Sequence, residues 1–458
     1  MDIDIKRETD FVLEVVRKGL DHPYKVYNAF NGDIITHGPS FEDLGDYLPI
    51  FYSFEKQELA NQELDKTLAH LNKNDYIHRQ EKPGLLGHFS RCYDQSDMLW
   101  GLQIARRAGK SVPELETVVD AWVKNFWEGR GYAFLLRTIP FVRQNIPLAM
   151  APRIRMLSGE DHGMFIEILA NQAELSGEAR FLEIAYEIAQ KFFKTKTFQQ
   201  RCYFPFFESD SFLVNQTVMK LKPFRKRNNE FQLLKQNSNT MFGMIKLCDM
   251  LKSEKRGQKL KKTVQETLAR WMVDYWDARL GLFLTNYNHS SGESGADITV
   301  FHFIDILIEA SLVFDEKRYM DQAEQIAGSF LRCQNMTTGL VPFLHPDHTQ
   351  ELKCFNIQKN CSWLDGTVDF GISLFKLWHY TRNPSYKKAF EAILHGIITH
   401  HKQPFGYACG VSIVDGSLVN PQYSIKMTAL ILKIILAYQK GEEIKDPNSI
   451  VTYALMDR

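Results

Sequence analysis

The sequence predicts an all-α fold in which inner and outer helices alternate around a closed double ring. The ring would hold six or seven helix pairs, an (α/α)6 to (α/α)7 toroid with short β-hairpin-like loops. First, a unit recurs: Asp94 and Asp161 are 67 residues apart, and Asp297 and Asp365 are 68 apart. Second, an apolar helix precedes a charged amphipathic helix in the recurring unit. Third, no linker rich in glycine, serine or proline interrupts the series. We therefore expect residues 1–458 to form one domain, although the length alone suggests about three.

The first helix of each unit begins near an acidic, amide or aromatic residue and is apolar around much of its circumference. In the segment 363–380, Phe370, Leu374 and Leu377 fall at i, i+4 and i+7 on one face. Further apolar residues widen that face, so such a helix belongs on the inside of the ring. The predicted inner helices start near Asp43, Asp94, Asp161, Asn239, Asp297, Asp365 and Tyr423.

The second helix of each unit carries one charged face and belongs on the outside. Three of these helices are predicted to start near Ala179, Lys317 and Pro384, each with an aromatic residue at the matching place. The loops that follow also resemble one another, as in ARLGLFLTN, TTGLVPFLHP and QPFGYACGV. The N-terminal helix, about Ile5 to Gly19, would serve as the outer partner of the last inner helix and close the ring.

Composition excludes several classes of protein. Fifty-five Lys and Arg balance fifty-five Asp and Glu, whereas a dedicated nucleic-acid-binding domain carries a basic excess. Seven cysteines without a CxxC pair indicate no disulfide framework and favour a reduced, cytoplasmic location. The N-terminus has no apolar signal segment. The most apolar late segment, Ile425 to Tyr438, contains two lysines and is shorter than the ~20 residues that cross a bilayer, so we expect no membrane partner.

In three features the sequence resembles the (α/α) toroid superfamily. This superfamily contains six-hairpin glycosidases, unsaturated uronyl hydrolases, sugar 2-epimerases and some uronate lyases and C5-epimerases. The three features are the Asp-bearing starts of the inner helices, the GLVPF loop at 339–343, and the phrase DFGISLFKLWHYTRNPSY at 369–386. The resemblance implies that the inner helices begin around one mouth of a barrel, where a small glycan or oligosaccharide would bind. It is specific for architecture rather than for activity.

The residues at these helix starts are the candidate site. Carboxylates suit acid–base work, aromatic rings stack on sugars, and cations hold an anionic group. The candidate catalytic residues are Asp94 and Asp161, with Asp365 or Asp369 as the third choice. The candidate substrate-binding residues are Arg91, Tyr93, Asp97, Arg153, Arg155, Glu160, His162, Asn239, Asp297, His302, Trp363, Tyr423 and Lys426. Any one of the aspartates can instead be a helix cap.

Three functions remain open at this point. A glycoside hydrolase would use a pair of carboxyl groups. A uronate lyase, C5-epimerase or sugar 2-epimerase would depend on Tyr93, His162, His302 or Tyr423 as acid and base. A non-catalytic ring would bind glycans or serve as a scaffold. No HExxH or cysteine–histidine zinc spacing occurs, so we assign no metal ligand and no cofactor, and a divalent ion among the mouth carboxylates stays open. We expect a monomer or homodimer. The basic segment 220–229 is interpreted as a solvated loop or a lid over an anionic substrate.

Overall fold

A computed structural model describes residues 4–20, 26–29, 34–36, 48, 51–52, 56–73, 92–127, 133–135, 153–155, 157–209, 229–348 and 359–441. Residues 220–228 of the basic segment lie outside them.

The described chain is dominated by helices. They are α1 (Ile5–Leu20), α2 (Gln57–Lys73), α3 (Cys92–Arg107), α4 (Glu114–Trp122), α5 (Gly159–Ser176), α6 (Ala179–Phe193), α7 (Lys196–Arg201), α8 (Ser238–Met250), α9 (Lys255–Asp274), α10 (Phe301–Phe314), α11 (Lys317–Leu331), α12 (Leu364–Thr381), α13 (Pro384–Gly396) and α14 (Ile425–Lys440). Short π-helical turns at 123–127, 233–237 and 397–401 extend α4, precede α8 and extend α13.

Six of these helices form the described part of an inner ring. Helices α3, α5, α8, α10, α12 and α14 each pack against the next one in that order. Residues 48 and 51–52 are helical, Leu48 and Phe51 are fully buried, and they lie where the sequence predicts one more inner helix. With that predicted helix the ring would hold seven inner positions, the upper of the two predicted numbers.

The outer layer alternates with this ring along the chain. Helices α6, α9, α11 and α13 follow their inner partners, and α1 packs against α14 as the sequence predicts. In α11 the buried residues Tyr319, Ala323 and Ile326 form one stripe, while the exposed Lys317 and Asp321 pair on the solvent side. This single apolar stripe is what an outer helix requires. The inner α12 is instead buried around most of its circumference, so the predicted toroid is confirmed.

Short strands connect the helices. They are β1 (Val26–Asn28), β2 (Ile34–Thr36), β3 (Ala133–Leu135), β4 (Arg153–Arg155), β5 (Glu230–Gln232), β6 (Trp276–Asp277), β7 (Leu282–Phe283), β8 (Asn286–Asn288), β9 (Ser294–Gly295), β10 (Cys361–Trp363), β11 (Lys402–Gln403), β12 (Gly406–Tyr407), β13 (Gly410–Ser412), β14 (Leu418–Asn420) and β15 (Gln422–Ser424). They form small antiparallel sheets in the orders β15-β1-β2, β10-β13-β14, β5-β8-β9, β3-β4, β6-β7 and β11-β12.

These sheets mark one end of the barrel. Strands β4, β5, β9, β10 and β15 each come just before an inner helix, so their sheets surround the end at which the inner helices begin. We call this end the mouth. Among the described residues, no helix is both long and apolar enough to cross a membrane.

Candidate active site at the barrel mouth

The start of α12 presents two carboxylates on one face. Asp365 and Asp369 are four residues apart, so their side chains leave the helix in nearly the same direction, and both are half-buried. One oxygen of Asp365 accepts a hydrogen bond from the backbone N–H of Gly366 at 2.6 Å. Trp363 ends β10 and caps the helix through its backbone only. The structure therefore brings three of the predicted site residues together.

A buried hydrogen-bond chain holds this helix start in place. The Nδ1 atom of His401 lies 2.8 Å from the carbonyl oxygen of Ala408, which can only accept, so Nδ1 carries the proton. The other ring nitrogen, Nε2, then accepts from the hydroxyl of Ser362 at 3.0 Å. Thr367 in turn lies 2.8 Å from the Ser362 hydroxyl. Burial lowers the pKa of His401 to about 4, so the ring stays neutral and the chain intact at neutral pH.

Asp297, at the start of α10, acts as a helix cap. It precedes a single 3-10 turn, and its carboxylate accepts from the backbone N–H of Thr299 at 3.0 Å and from the Thr299 hydroxyl. The residue is buried, and this burial raises the pKa of Asp297 against the opposing effect of its hydrogen bonds. The side chain thus makes the local contacts expected of a cap.

Deeper in the barrel, α10 and α12 are joined by an ion pair. The Nζ atom of Lys376 lies 3.1 Å from a carboxylate oxygen of Asp305, and the two side chains are 2% and 3% exposed. The hydroxyl of Ser373 donates to the other oxygen of Asp305 at 2.7 Å. Burial raises the pKa of Asp305, while Lys376 and Ser373 act in the opposite direction. Asp369, Ser373 and Lys376 follow at helical spacing, so one polar row runs inward from the mouth.

His302 lies one helical turn from Asp305, on the same face of α10. Burial of its ring, followed by the positive charge of Lys376, lowers the pKa of His302 to about 3. The imidazole is therefore neutral at pH 7. One ring nitrogen then donates a hydrogen bond and the other accepts one.

The predicted histidine on α5 faces the outer layer instead. His162 is buried, and its Nδ1 atom accepts from the backbone N–H of Ser158 at 3.2 Å. Its ring packs against Trp122 and Trp127, with centroids 5.9 and 6.5 Å apart. His162 is thus held between α5 and α4, the outer helix that follows the inner helix α3.

Two other predicted residues have distinct places. Asn239 is half-buried in the first turn of α8. Tyr423 is buried in β15 opposite Tyr27 of β1, and its ring lies against Gly406, where a Cβ atom would come within 2.8 Å of it. Tyr423 therefore takes part in packing where the first and last strands pair.

For the remaining predicted residues the structure gives the backbone position alone. Tyr93, Asp94 and Asp97 lie in the first turns of α3, Glu160 and Asp161 in the first turn of α5, Arg153 and Arg155 in β4, and Lys426 in α14. Arg91 lies outside the described residues. These positions agree with the predicted helix starts, and the roles of their side chains stay predictions.

Sequence reasoning missed Asp305 and Lys376. Each is a charged residue flanked by apolar ones in an inner helix, in FIDILI and LFKLW. A charge at such a position is rarely buried without a partner, so this pattern could have indicated the pair. Within the described residues, no three His, Cys, Asp or Glu side chains are grouped so as to hold a metal ion.

Solved structures with the same architecture place this barrel among known folds. The alpha-1,2-mannosidase from Trichoderma reesei superposes with a TM-score of 0.63 at 10% identity, over 94% of this chain and 92% of that chain. The chain has the (α/α) toroid fold. A sugar epimerase from a ruminal bacterium gives 0.52 at 11% identity over 96% and 98% of the two chains. Cellobiose 2-epimerase from Bacillus thermoamylovorans B4167 gives 0.51 at 12% identity over 76% and 87%.

These likenesses concern the toroid itself. No protein-family model matches the sequence, and a search of curated proteins finds no similar sequence. The toroids that superpose include a hydrolase and epimerases, so the fold alone does not select the reaction.

Proposed function

We propose that this protein is a carbohydrate-active enzyme, a glycoside hydrolase that acts on an oligosaccharide or uronate-containing glycan with carboxyl groups at the barrel mouth. The observation that carries the proposal is the polar row on α12. Asp365 and Asp369 stand half-buried at its outer end, and the Asp305–Lys376 ion pair closes its inner end. Polar side chains on otherwise apolar barrel helices suit a cavity that binds a polar substrate.

Glycoside hydrolysis needs carboxyl groups on two sides of the scissile bond. In a ring of seven, α12 is the sixth inner position, and the second and third positions, α3 and α5, lie across the mouth from it. Asp94 and Asp161 lie in the first turns of those helices. With axes about 9 Å apart, a ring of seven helices is roughly 20 Å across, which leaves room for a sugar unit between opposite helix starts. We therefore assign one carboxyl group to α12 and the other to α3 or α5.

The chemistry would divide between these two carboxyl groups. One donates a proton to the leaving glycosidic oxygen, and the other activates water or attacks the anomeric carbon. The order of the inner helices supports this division, because in a ring of seven α12 begins about half a ring away from α3 and α5.

The test measures new reducing ends on a panel of oligosaccharides with the purified full-length protein. Asp94→Asn, Asp161→Asn, Asp365→Asn and Asp369→Asn are compared with the wild type. Loss of a catalytic acid or base should lower kcat by about 100-fold or more. Asp321→Asn, on the solvent side of α11, is the matched control and should keep full activity. Full activity in both α12 variants would contradict the assignment to α12.

A sugar 2-epimerase is the second candidate, and His302 is the observation that favours it. The imidazole is neutral and lies on the face of α10 that also carries Asp305. The predicted second histidine, His162, packs against Trp122 and Trp127 of the outer layer, which weakens a two-histidine mechanism. NMR in D2O separates the candidates: deuterium uptake at C2 without new reducing ends, abolished in His302→Gln, would favour the epimerase and contradict hydrolysis.

A further inference from the structure

The sheet β5-β8-β9 has two chemically different faces. Phe231 and Tyr287 stand opposite each other in the register of β5 and β8. Phe231 is fully buried, stacks on Tyr275 at 3.8 Å and meets Trp271 edge-on at 5.4 Å. Trp271 belongs to the outer helix α9, and Tyr275 follows its last residue. This apolar face is therefore turned toward the outer layer.

The residues before and after Phe231 and Tyr287 point to the other face of the sheet, because side chains alternate along a strand. Glu230 stands opposite Asn288, and Gln232 stands opposite Asn286; all four are half-buried. The amide of Gln232 donates to one oxygen of Glu230 at 2.9 Å, and that of Asn288 donates to the other at 3.3 Å. We call this set of one carboxylate and three amides the amide face.

Asn286 completes the amide face and is half-buried. Its side chain lies across Gly295 of the neighbouring strand, where a Cβ atom would collide with the amide. Beneath the sheet, Gln236 is fully buried and donates to the carbonyl oxygen of Glu230 at 2.8 Å. The side-chain oxygen of Gln236 has no hydrogen-bond partner among the described residues. Gly159, the first residue of α5, packs directly on Gln236.

These connections put the amide face at the mouth. Strand β5 runs through the turn 233–237 into α8, and β9 is followed by Asp297 and α10. Gly159 adds a contact to the start of α5. The face therefore stands at the starts of three consecutive inner helices and is turned away from the outer layer.

We propose that the amide face is a binding subsite for an uncharged, hydroxyl-rich sugar unit. The inference rests on the proposed function for the claim that the sugar belongs to a substrate. Each sugar hydroxyl both donates and accepts, and side-chain amides offer both kinds of partner in one plane. The Glu230 carboxylate adds acceptors and negative charge, which disfavours the carboxylate of a uronate at this position. The bound unit is therefore a neutral sugar, even where the rest of the glycan carries acid groups.

The test measures binding by the full-length protein to two sets of immobilised probes. One set holds neutral cello-, manno- and xylo-oligosaccharides, and the other holds mannuronate and galacturonate oligosaccharides of the same lengths. Asn286→Ala and Gln232→Ala are compared with Tyr287→Phe, which changes the opposite face of the same sheet. We expect wild-type binding to neutral probes, weakened about tenfold in each amide variant and unchanged in the control. Thermal unfolding checks that each variant is folded.

Three outcomes would overturn the subsite: no binding to any neutral probe, tighter binding to uronates, or amide variants that bind as the wild type does. The hydrolase proposal fails separately. If Asn286-dependent binding is found without hydrolysis, the subsite stands and the hydrolase does not. If hydrolysis is found and KM is unchanged in both amide variants, the hydrolase stands and the subsite does not.

Discussion

The ion pair inside the barrel predicts a large loss of stability in Lys376→Met. The substitution keeps most of the apolar stem and removes the charge that faces Asp305. Ser373 still donates one hydrogen bond to the carboxylate, but a buried carboxylate without a cation remains. Breaking a buried ion pair from one side typically costs about 3–5 kcal/mol.

The local geometry gives a similar magnitude. Two unit charges 3.1 Å apart attract by about 5 kcal/mol at an effective dielectric constant of about 20. With side chains only 2% and 3% exposed, water screens this pair little. We therefore expect the free energy of unfolding to fall by about 4 kcal/mol. Replacing both partners, as in Asp305→Leu with Lys376→Met, should recover most of that loss, since paired removal leaves no charge behind.

Urea unfolding followed by circular dichroism measures these differences. The matched control is Lys317→Met, which breaks the exposed pair with Asp321 on α11 and should change the stability little, because water screens exposed ion pairs. The pH dependence provides a second readout. Burial raises the pKa of Asp305 above its ordinary value of 3.8, and loss of Lys376 raises it further. Between the pKa of the unfolded chain and the higher pKa of the folded variant, Asp305 holds a proton only in the folded state. This proton stabilises the folded variant at low pH, and the stabilisation is lost as pH rises through the folded pKa.

The variant should accordingly be less destabilised at pH 5 than at pH 8. Equal losses in Lys376→Met and Lys317→Met would refute the reasoning. So would a double variant that is no more stable than the single one.

Three further substitutions test the backbone and the packing of the barrel. Gly339 and Gly109 both have left-handed backbones, with φ of +73° and +78°, but a Cβ atom at Gly339 would strike the carbonyl oxygen of Ala392, whereas Gly109 faces open space. In both alanine variants, backbone strain should lower the free energy of unfolding by about 1 kcal/mol. The collision with Ala392 should lower it by at least as much again in Gly339→Ala. Equal losses of the two variants in urea unfolding would contradict this. Ser362→Ala removes the hydroxyl that donates to a buried nitrogen of His401, so the free energy of unfolding should fall by about 1–3 kcal/mol. Unchanged stability would show that this hydrogen bond does not stabilise the fold.

Much of the ring was predictable because its signals are local. The predicted outer starts at Ala179, Lys317 and Pro384 are the first residues of α6, α11 and α13. A stripe of apolar residues at helical spacing defines each of these helices within about fifteen residues of sequence. The strands at the mouth are only two or three residues long, too short for an alternating pattern. Their pairing, and hence the amide face, required the structure.

The sequence predicted where the site residues lie at the helix starts, but not where their side chains point. An aspartate marks a helix start whether it caps the helix or faces the cavity, and Asp297 and Asp365 make different contacts despite equivalent places in the repeat. His162 stands one residue from a candidate catalytic aspartate yet packs on outer-layer tryptophans. The direction of a side chain depends on the rotation of its helix in the ring, which the helical period near a helix start does not specify.

The pairing of α1 with α14 has a consequence for the order of assembly. Glu8 of α1 binds Lys402, 394 residues later in the chain, and β1 pairs with β15. During synthesis the apolar side of α1, including Val12 and Val16, has no cover until α14 leaves the ribosome. Ring closure is thus a late event joined by contacts of very long sequence separation, which form slowly. A chain that stops before α14 therefore leaves the apolar side of α1 exposed.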